Sequence, residues 1–339
     1  MAPSIQKILT VALWLVGTVA AGAHKCTKPG QRRAWHTFTN KEKRAYIKAE
    51  KCLMELPSDS ELPFIHTRFD ELQSAHALQA YSTHYVAAFL PFHRFYMHAH
   101  ETLLRTECGY KGHQPYWYEQ LDSGDFLSSV LLDPIHGFGG NGRESDGCIT
   151  NGPFVDYVNH IGPNYTFTDH CIQRGVTESA SQWTTQAEID ACMEKEEWED
   201  AWTCIHARPH DGGHLGVGGL AGGVMSDKVA SPGDPLFYLH HTWLDKIWAD
   251  WQAMDKEART TSISGPNIMA DDAEFPVLPD HIPKPTGADG DPGTETTLTH
   301  VLHVSGMIPN QTIADVLDIQ GGYLCYEYVE PPEAAASKA

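Results

Sequence analysis

Residues 76 to 101 read HALQAYSTHYVAAFLPFHRFYMHAHE, and they set the architecture expected for the whole chain. Three of their histidines, His76, His84 and His93, stand eight and nine residues apart. A step of nine residues turns about half a revolution on an ideal helix, so His84 and His93 cannot share one helical face. Pro91 removes this conflict, because proline favours the first turn of a new helix. The spacing therefore predicts two helices, with His76 on the first and His93 on the second.

A second set of histidines lies downstream. His210 and His214 are four residues apart, about 40° around a helix, so both rings can face one point. An Asp-Pro pair at 234–235 predicts the start of another helix. On that helix His241 and Asp245 would share a face, so the carboxylate could reach a metal-ligating imidazole or a neighbouring one.

The six histidines together predict a metal centre. Imidazole ligands without a carboxylate or thiolate suit copper better than magnesium, calcium or manganese, which take oxygen ligands. Zinc accepts three histidines in catalytic sites with one open position, so a zinc-dependent hydrolase is the alternative. No glutamate stands beside either set as the His-Glu-x-x-His motif of such hydrolases requires. The type of ligand therefore favours copper.

The charge of the chain limits its partners. The chain has 339 residues and a formal net charge of −20. A field of this sign repels a phosphate backbone and an anionic membrane surface, so neither nucleic acid nor a membrane is an expected partner. Beyond residue 23, no segment is apolar over the length that a membrane-spanning helix needs.

Residues 1–23 have the layout of a secretory signal peptide, with Lys7 before an apolar run and small residues before His24. The mature chain is therefore expected to be secreted and extracellular. All eight cysteines lie beyond this segment, and an even number in an oxidising compartment predicts up to four disulfides, whose pairing stays open. Asn164 and Asn310 begin acceptor triplets for N-glycosylation.

Helical periodicity, loop composition and strand alternation divide the rest of the chain. Helices are predicted at 39–54 and 185–205, long loops at 110–174, irregular chain at 276–293, and short strands at 298–304 and 323–329. Residues 330–339 carry no core-forming side chain and are expected to be disordered.

Two stretches resemble the copper signatures of a known family. The first signature of tyrosinases and catechol oxidases resembles HYVAAFLPFHRFY at 84–96, and their second resembles DPLFYLHHTWLD at 234–245. The short, secreted fungal tyrosinase-like polyphenol oxidases have segments similar to RFD at 68–70, CITNGPF at 148–154 and SPGDP at 231–235. The resemblance extends from about residue 68 to residue 329.

The resemblance implies a mainly α protein in which a four-helix bundle holds two copper ions, with long loops and a few short strands. It implies one tyrosinase-like domain over residues 24–329. The first copper would be bound by His76, His84 and His93, and the second by His210, His214 and His241. His66 is the rival of His76, which the short fungal pattern favours, and the second signature selects His241 over His240.

The resemblance also implies a reaction, the oxidation of small o-diphenols to o-quinones with dioxygen as co-substrate. A dioxygen carrier that uses the same copper chemistry without turnover is an alternative, and its site would be covered. Tyr326-Glu327-Tyr328 is similar to the Tyr-x-Tyr that closes the core domain of the family, and eleven residues follow it. A C-terminal shielding domain is therefore expected to be absent, which favours catalysis.

Hydroxylation of monophenols is associated in the family with two positions. One is the residue after the first histidine of the second copper set, which is Asp211 here. Asp211 could accept the phenol proton, or it could instead fix His210. The other is a glutamate that holds a water molecule, and Glu199 is the upstream candidate for it.

Two further residues bear on the expected site. Leu215 follows His214 and makes the entrance apolar, which favours neutral phenols over acidic ones. Ser82 stands where many fungal relatives have a cysteine that cross-links to the second ligand, so no thioether to His84 is expected there.

Overall fold

Helices dominate the computed structural model, which describes residues 26–62, 64–220, 222–270, 274–280 and 284–332. The predicted signal peptide at 1–23 and residues 333–339 of the predicted tail lie outside the described residues. The helices are α1 (Asn40–Glu55), α2 (Arg68–Thr83), α3 (Phe89–Thr106), α4 (Glu119–Asp122), α5 (Glu178–Ser181), α6 (Gln186–Met193), α7 (Trp198–Ile205), α8 (Asp211–Gly218), α9 (Leu236–Met254), α10 (Lys256–Arg259) and α11 (Ile313–Val316). The strands are β1 (Gly30–Arg33), β2 (Val158–Asn159), β3 (His170–Cys171), β4 (Val301–Leu302), β5 (Gln311–Thr312) and β6 (Tyr326–Val329).

Capping boxes set the starts of α1 and α2. The Thr39 side chain accepts a hydrogen bond from the Glu42 backbone, and the Glu42 carboxylate accepts one from the Thr39 backbone at 2.8 Å. Thr67 and Asp70 form the same pair of bonds at the start of α2. Each box gives partners to backbone N–H groups that a helix start leaves free.

The break between α2 and α3 lies where the histidine spacing requires it. α2 ends before His84, whose backbone is extended, and α3 begins at Phe89. Pro91 lies in the first turn of α3, where its missing N–H costs no hydrogen bond. The prediction of two helices with a new start near Pro91 is confirmed.

The single helix predicted at 185–205 is instead two helices, α6 and α7. A disulfide joins Cys192 of α6 to Cys204 of α7, with the two Cα atoms 5.4 Å apart. One straight helix would separate two residues twelve apart by about 18 Å. The chain therefore has to reverse at the charged residues between the helices.

Four disulfides are present, and they include every cysteine. The predicted number is confirmed, and the pairing is Cys26–Cys325, Cys52–Cys108, Cys148–Cys171 and Cys192–Cys204. The first bond joins the two ends of the described chain next to the parallel pair of β1 and β6. The strands predicted at 298–304 and 323–329 are present as the shorter β4 and β6.

Four helical segments form the bundle that the fold class predicts. α2 packs against α3, α3 packs along α9, and the π-helical turn His206–His210, which leads into α8, also packs against α9. Large side chains such as Phe92, Phe237 and Trp248 are buried between them. The mainly α class with few short strands is confirmed. Among the described residues, no helix is both long and apolar enough to cross a bilayer.

Candidate metal centre

The first histidine triad lies where α2 and α3 meet. His76 is in the middle of α2, His84 follows its last turn, and His93 is in the second turn of α3. All three are buried, and one nitrogen from each lies within 4.8 Å of the others. One straight helix could not place these three histidines on one face. Because the chain breaks before Pro91, all three side chains face one point.

The second triad lies between α8 and α9. His210 ends the π-helical turn, His214 is on α8, and His241 is on α9. These three are also buried, with one nitrogen from each within 4.8 Å of the others. His214 Nε2 and His241 Nε2 are 3.1 Å apart.

The two triads face each other. The rings of His93 and His241 stack with their centroids 4.2 Å apart and their planes 12° apart. The Phe89 ring lies 4.8 Å from both His93 and His210. The Phe237 ring lies 4.1 Å from His241 and 5.3 Å from His76. The triads thus form one centre with room for two adjacent ions and two phenylalanines as apolar walls.

Backbone carbonyls orient five of the six imidazoles. A carbonyl oxygen only accepts hydrogen bonds, so the Nδ1 atom that contacts it carries the proton and Nε2 keeps a lone pair. The pairs are His76 with Val229 at 2.8 Å, His84 with Ala80 at 2.8 Å, His93 with Phe89 at 2.7 Å, His210 with His206 at 3.2 Å and His214 with Met225 at 2.5 Å. The protein thereby sets both the tautomer and the ring direction of a ligand set.

The free nitrogens of the triads fit metal ions. Nε2 of His76, His93 and His210 is buried and has no hydrogen-bond partner among the described residues. Burial lowers the pKa of His76 to about 3, and burial with neighbouring imidazoles holds the pKa values of the other five well below the usual range. Neutral imidazoles with unmatched buried lone pairs are costly unless something binds them. Their all-nitrogen character suits copper.

Two sequence-predicted residues lie beside the second triad. Asp211 Oδ1 lies 3.0 Å from His210 Nδ1, and its side chain is 35% exposed. Burial raises the pKa of Asp211 to about 6. Leu215 is partly buried on α8, one residue after His214. Asp211 thus both contacts a triad histidine and reaches solvent.

The rival residues His66 and His240 belong to neither triad. His66 is exposed, and its ring lies 4.5 Å from that of His160. The His240 ring turns to Glu119, whose Oε1 is 2.6 Å from His240 Nδ1. Ser82 Oγ donates to the Gln79 carbonyl.

The assignment of the water-holding carboxylate to Glu199 is wrong. Glu199 is exposed in the first turn of α7, eleven residues before His210, which is about 16 Å along a helix axis. A water molecule held there cannot contact the triads. The buried carboxylate beside the second triad is Glu119, and a Cβ on Gly213 would lie 2.7 Å from its Oε2. No pattern around Glu119 in the sequence signals this position.

The prediction that Asp245 holds a ligating imidazole is also wrong. Asp245 is buried, and its carboxylate accepts hydrogen bonds from Arg94 at 2.5 Å, Arg32 at 3.2 Å and Tyr326 at 2.6 Å, and one from Tyr328. His241 Nδ1 has no partner among the described residues. Two guanidinium charges are stronger partners for a buried carboxylate than one neutral imidazole.

Known proteins resemble this chain in sequence and in fold. The common central domain of tyrosinase matches residues 66–254, more than half of the chain. A tyrosinase-like protein of Diaporthe leptostromiformis is 28% identical over 333 residues, which cover 90% of this chain and 78% of that protein. An N-acetyl-6-hydroxytryptophan oxidase of Emericella nidulans is 27% identical over 362 residues, which cover 88% and 91%.

A solved structure extends the likeness to three dimensions. A mutant polyphenol oxidase of Thermothelomyces thermophila superimposes with a TM-score of 0.76 at 25% sequence identity, covering 91% of each chain. The family implies a dicopper centre, and the two buried triads are consistent with one. On the match to its central domain and on this shared fold, the chain belongs to the tyrosinase family.

Proposed function

We propose that the protein is a secreted dicopper oxidase that converts small o-diphenols to o-quinones with dioxygen. The observation that carries the proposal is the pair of facing triads, whose unmatched nitrogens are neutral, buried and directed at two adjacent positions. His76, His84 and His93 would hold one copper ion, and His210, His214 and His241 would hold the other. Membership in the tyrosinase family supports an oxidoreductase.

The copper pair, when bound, would supply the transfer of two electrons from each diphenol to dioxygen. Two diphenols together lose four electrons and four protons, and these reduce one dioxygen to two molecules of water. The chain itself fixes the imidazoles through backbone carbonyls, and Phe89 and Phe237 keep water from the sides of the centre.

Secretion is part of the proposal. Four disulfides suit an oxidising compartment. Asn164 and Asn310, the acceptors of the two glycosylation triplets, are both exposed. We infer that the signal peptide at 1–23 is removed and that one domain at 24–329 carries the activity.

Oxygen uptake tests the function. The chain with residues 1–23 is expressed in a fungal host, purified from the medium and analysed for metal. We expect about two copper ions per chain, and we expect oxygen uptake with catechol well above that of the same concentration of free copper. Uptake no faster than free copper would contradict the oxidase, zinc in place of copper would favour a hydrolase, and absence of the protein from the medium would contradict secretion.

Asp211 offers a second prediction, for monophenols. Asp211→Asn keeps an oxygen that can accept the hydrogen bond of His210 but removes the base, and base catalysis contributes roughly 10²- to 10⁴-fold. We expect the ratio of tyramine oxidation to catechol oxidation to fall by about 100-fold. The exposed Asp200→Asn on α7 is the matched control. An unchanged ratio in Asp211→Asn would show that Asp211 only fixes His210.

A further inference from the structure

One short segment connects the two triads. The Met225 carbonyl accepts the hydrogen bond of His214, and the Val229 carbonyl accepts that of His76. Both residues are fully buried. Lys228 lies between them, directly before Val229. Its backbone position is therefore set by the same contacts that orient one histidine of each triad.

The Lys228 side chain is partly exposed. Its Nζ donates to the Tyr85 hydroxyl at 3.1 Å and to the Glu274 carbonyl. Both acceptors are neutral, and an ammonium group has three N–H donors. Among the described residues, no carboxylate is paired with Nζ. Lys228 thus presents a positive charge that no ion pair with a described carboxylate neutralises, in a chain whose net charge is −20.

Aromatic rings connect this charge to the triads. Tyr85 directly follows His84, and its ring lies 5.4 Å from Lys228 Nζ and 4.6 Å from the His206 ring. The His206 ring lies 4.6 Å from that of His210. Phe275 lies 5.7 Å from the His84 ring and 6.3 Å from that of Tyr85. Tyr85, His206 and Phe275 thus form a wall of aromatic rings that extends from Lys228 to one histidine of each triad.

The backbone conformation of Tyr85 indicates that the position of its ring matters for function. Its φ of 56° lies in the left-handed region, which bulky side chains rarely adopt. Such a conformation is strained and persists where the surrounding structure holds it in place. The Lys228 bond to the Tyr85 hydroxyl and the ring contact with His206 are the contacts that hold it.

We propose that Lys228 determines substrate specificity by binding an anionic substituent, such as a carboxylate, on the ring of the diphenol. The inference rests on the proposed oxidase function and names the substrate class for it. The apolar entrance at Leu215 alone predicts a preference for neutral phenols. Lys228 overrides that preference, because a partly buried cation that is bonded only to neutral oxygens among the described residues attracts an anion more strongly than a fully solvated cation does.

Three o-diphenols of similar size test the inference: 3,4-dihydroxybenzoate, 4-methylcatechol and 3,4-dihydroxybenzylamine. In Lys228→Met, we expect the kcat/KM ratio of the benzoate to 4-methylcatechol to fall about tenfold, through KM. The corresponding ratio for the benzylamine should rise. Lys228→Arg should keep the wild-type order, and Lys48→Met, an exposed lysine of α1, is the control for charge alone.

Binding gives a readout that does not depend on turnover. Calorimetry with the copper-loaded protein compares benzoate with neutral benzamide, and Lys228→Met should weaken benzoate about tenfold relative to benzamide. If Lys228→Met changed kcat/KM or affinity equally for all ring substituents, or for none, the inference would be overturned. The proposed oxidase function would be unaffected. No oxygen uptake by wild type with any of the three diphenols would instead overturn the proposed function.

Discussion

His241→Ala should remove copper from the second site and abolish oxidation of o-diphenols. Bound copper should fall from about two ions per chain to about one. Loss of an outer partner of a metal ligand commonly costs about 10- to 100-fold in affinity or activity, so loss of the ligand itself should cost more than about 100-fold. Metal analysis and oxygen uptake measure the two effects, and circular dichroism checks that the variant is folded.

The adjacent histidine is a matched control. His240 is equally buried but contacts Glu119 through Nδ1. In His240→Gln the amide can donate to the same carboxylate, so both copper ions should stay bound. Retention of two ions in His241→Ala, or loss of one in His240→Gln alone, would reverse the assignment of the ligand.

Asp245→Asn should strongly destabilise the fold without touching either triad. The carboxylate is the shared partner of Arg32 and Arg94, both of which are fully buried. Removing one partner of a buried ion pair leaves an unmatched charge and costs about 3–5 kcal/mol. Equilibrium unfolding in urea, on wild type and variant at pH 7, measures the loss of free energy of unfolding.

A surface pair provides the comparison for Asp245. Asp146 pairs with Arg143 at 2.7 Å, and both side chains are well exposed. Water and salt screen exposed pairs, so Asp146→Asn should leave the free energy of unfolding nearly unchanged. Equal losses in the two variants would show that the buried cluster adds no stability of its own.

The pH dependence of stability follows from the same cluster. Burial acts to raise the pKa of Asp245, but the charges of Arg94 and Arg32 outweigh it and lower the pKa below 3.8. A group with a depressed folded-state pKa contributes stability above its unfolded pKa and loses it as the pH falls. The stability difference between wild type and Asp245→Asn should therefore shrink below about pH 4.

Local sequence determined where α1, α2 and α3 begin. Thr39 with Glu42 and Thr67 with Asp70 cap helix starts through partners three residues away, and Pro91 sets the start of α3. Contacts of this range depend on residues within one turn, so they can be read from spacing alone. The prediction of one helix at 185–205 was wrong because the Cys192–Cys204 disulfide folds this segment back on itself. Helical periodicity does not reveal that bond.

The partners of the buried charged groups came only from the tertiary structure. Asp245 lies one helical turn from His241, which is the spacing that suggested their contact, yet its carboxylate binds Arg32 and Arg94 from distant parts of the chain. Glu119, the first residue of α4, contacts His240, the neighbour of triad residue His241, and no sequence motif marks it. Buried charged groups pair with the polar groups that tertiary packing places next to them. Those partners cannot be predicted from their separation in the sequence.

The sequence by itself thus determined the two sets of three histidines, the break at Pro91 and the preference for copper. The tertiary structure alone decided how the triads face each other across His93 and His241, which carbonyls orient the rings, and where Lys228 stands. The physical reason is the range of the interactions. Periodicity and capping act within a few residues, whereas ring stacking, carbonyl bonds and the hydrogen bonds of Lys228 join residues far apart in the chain.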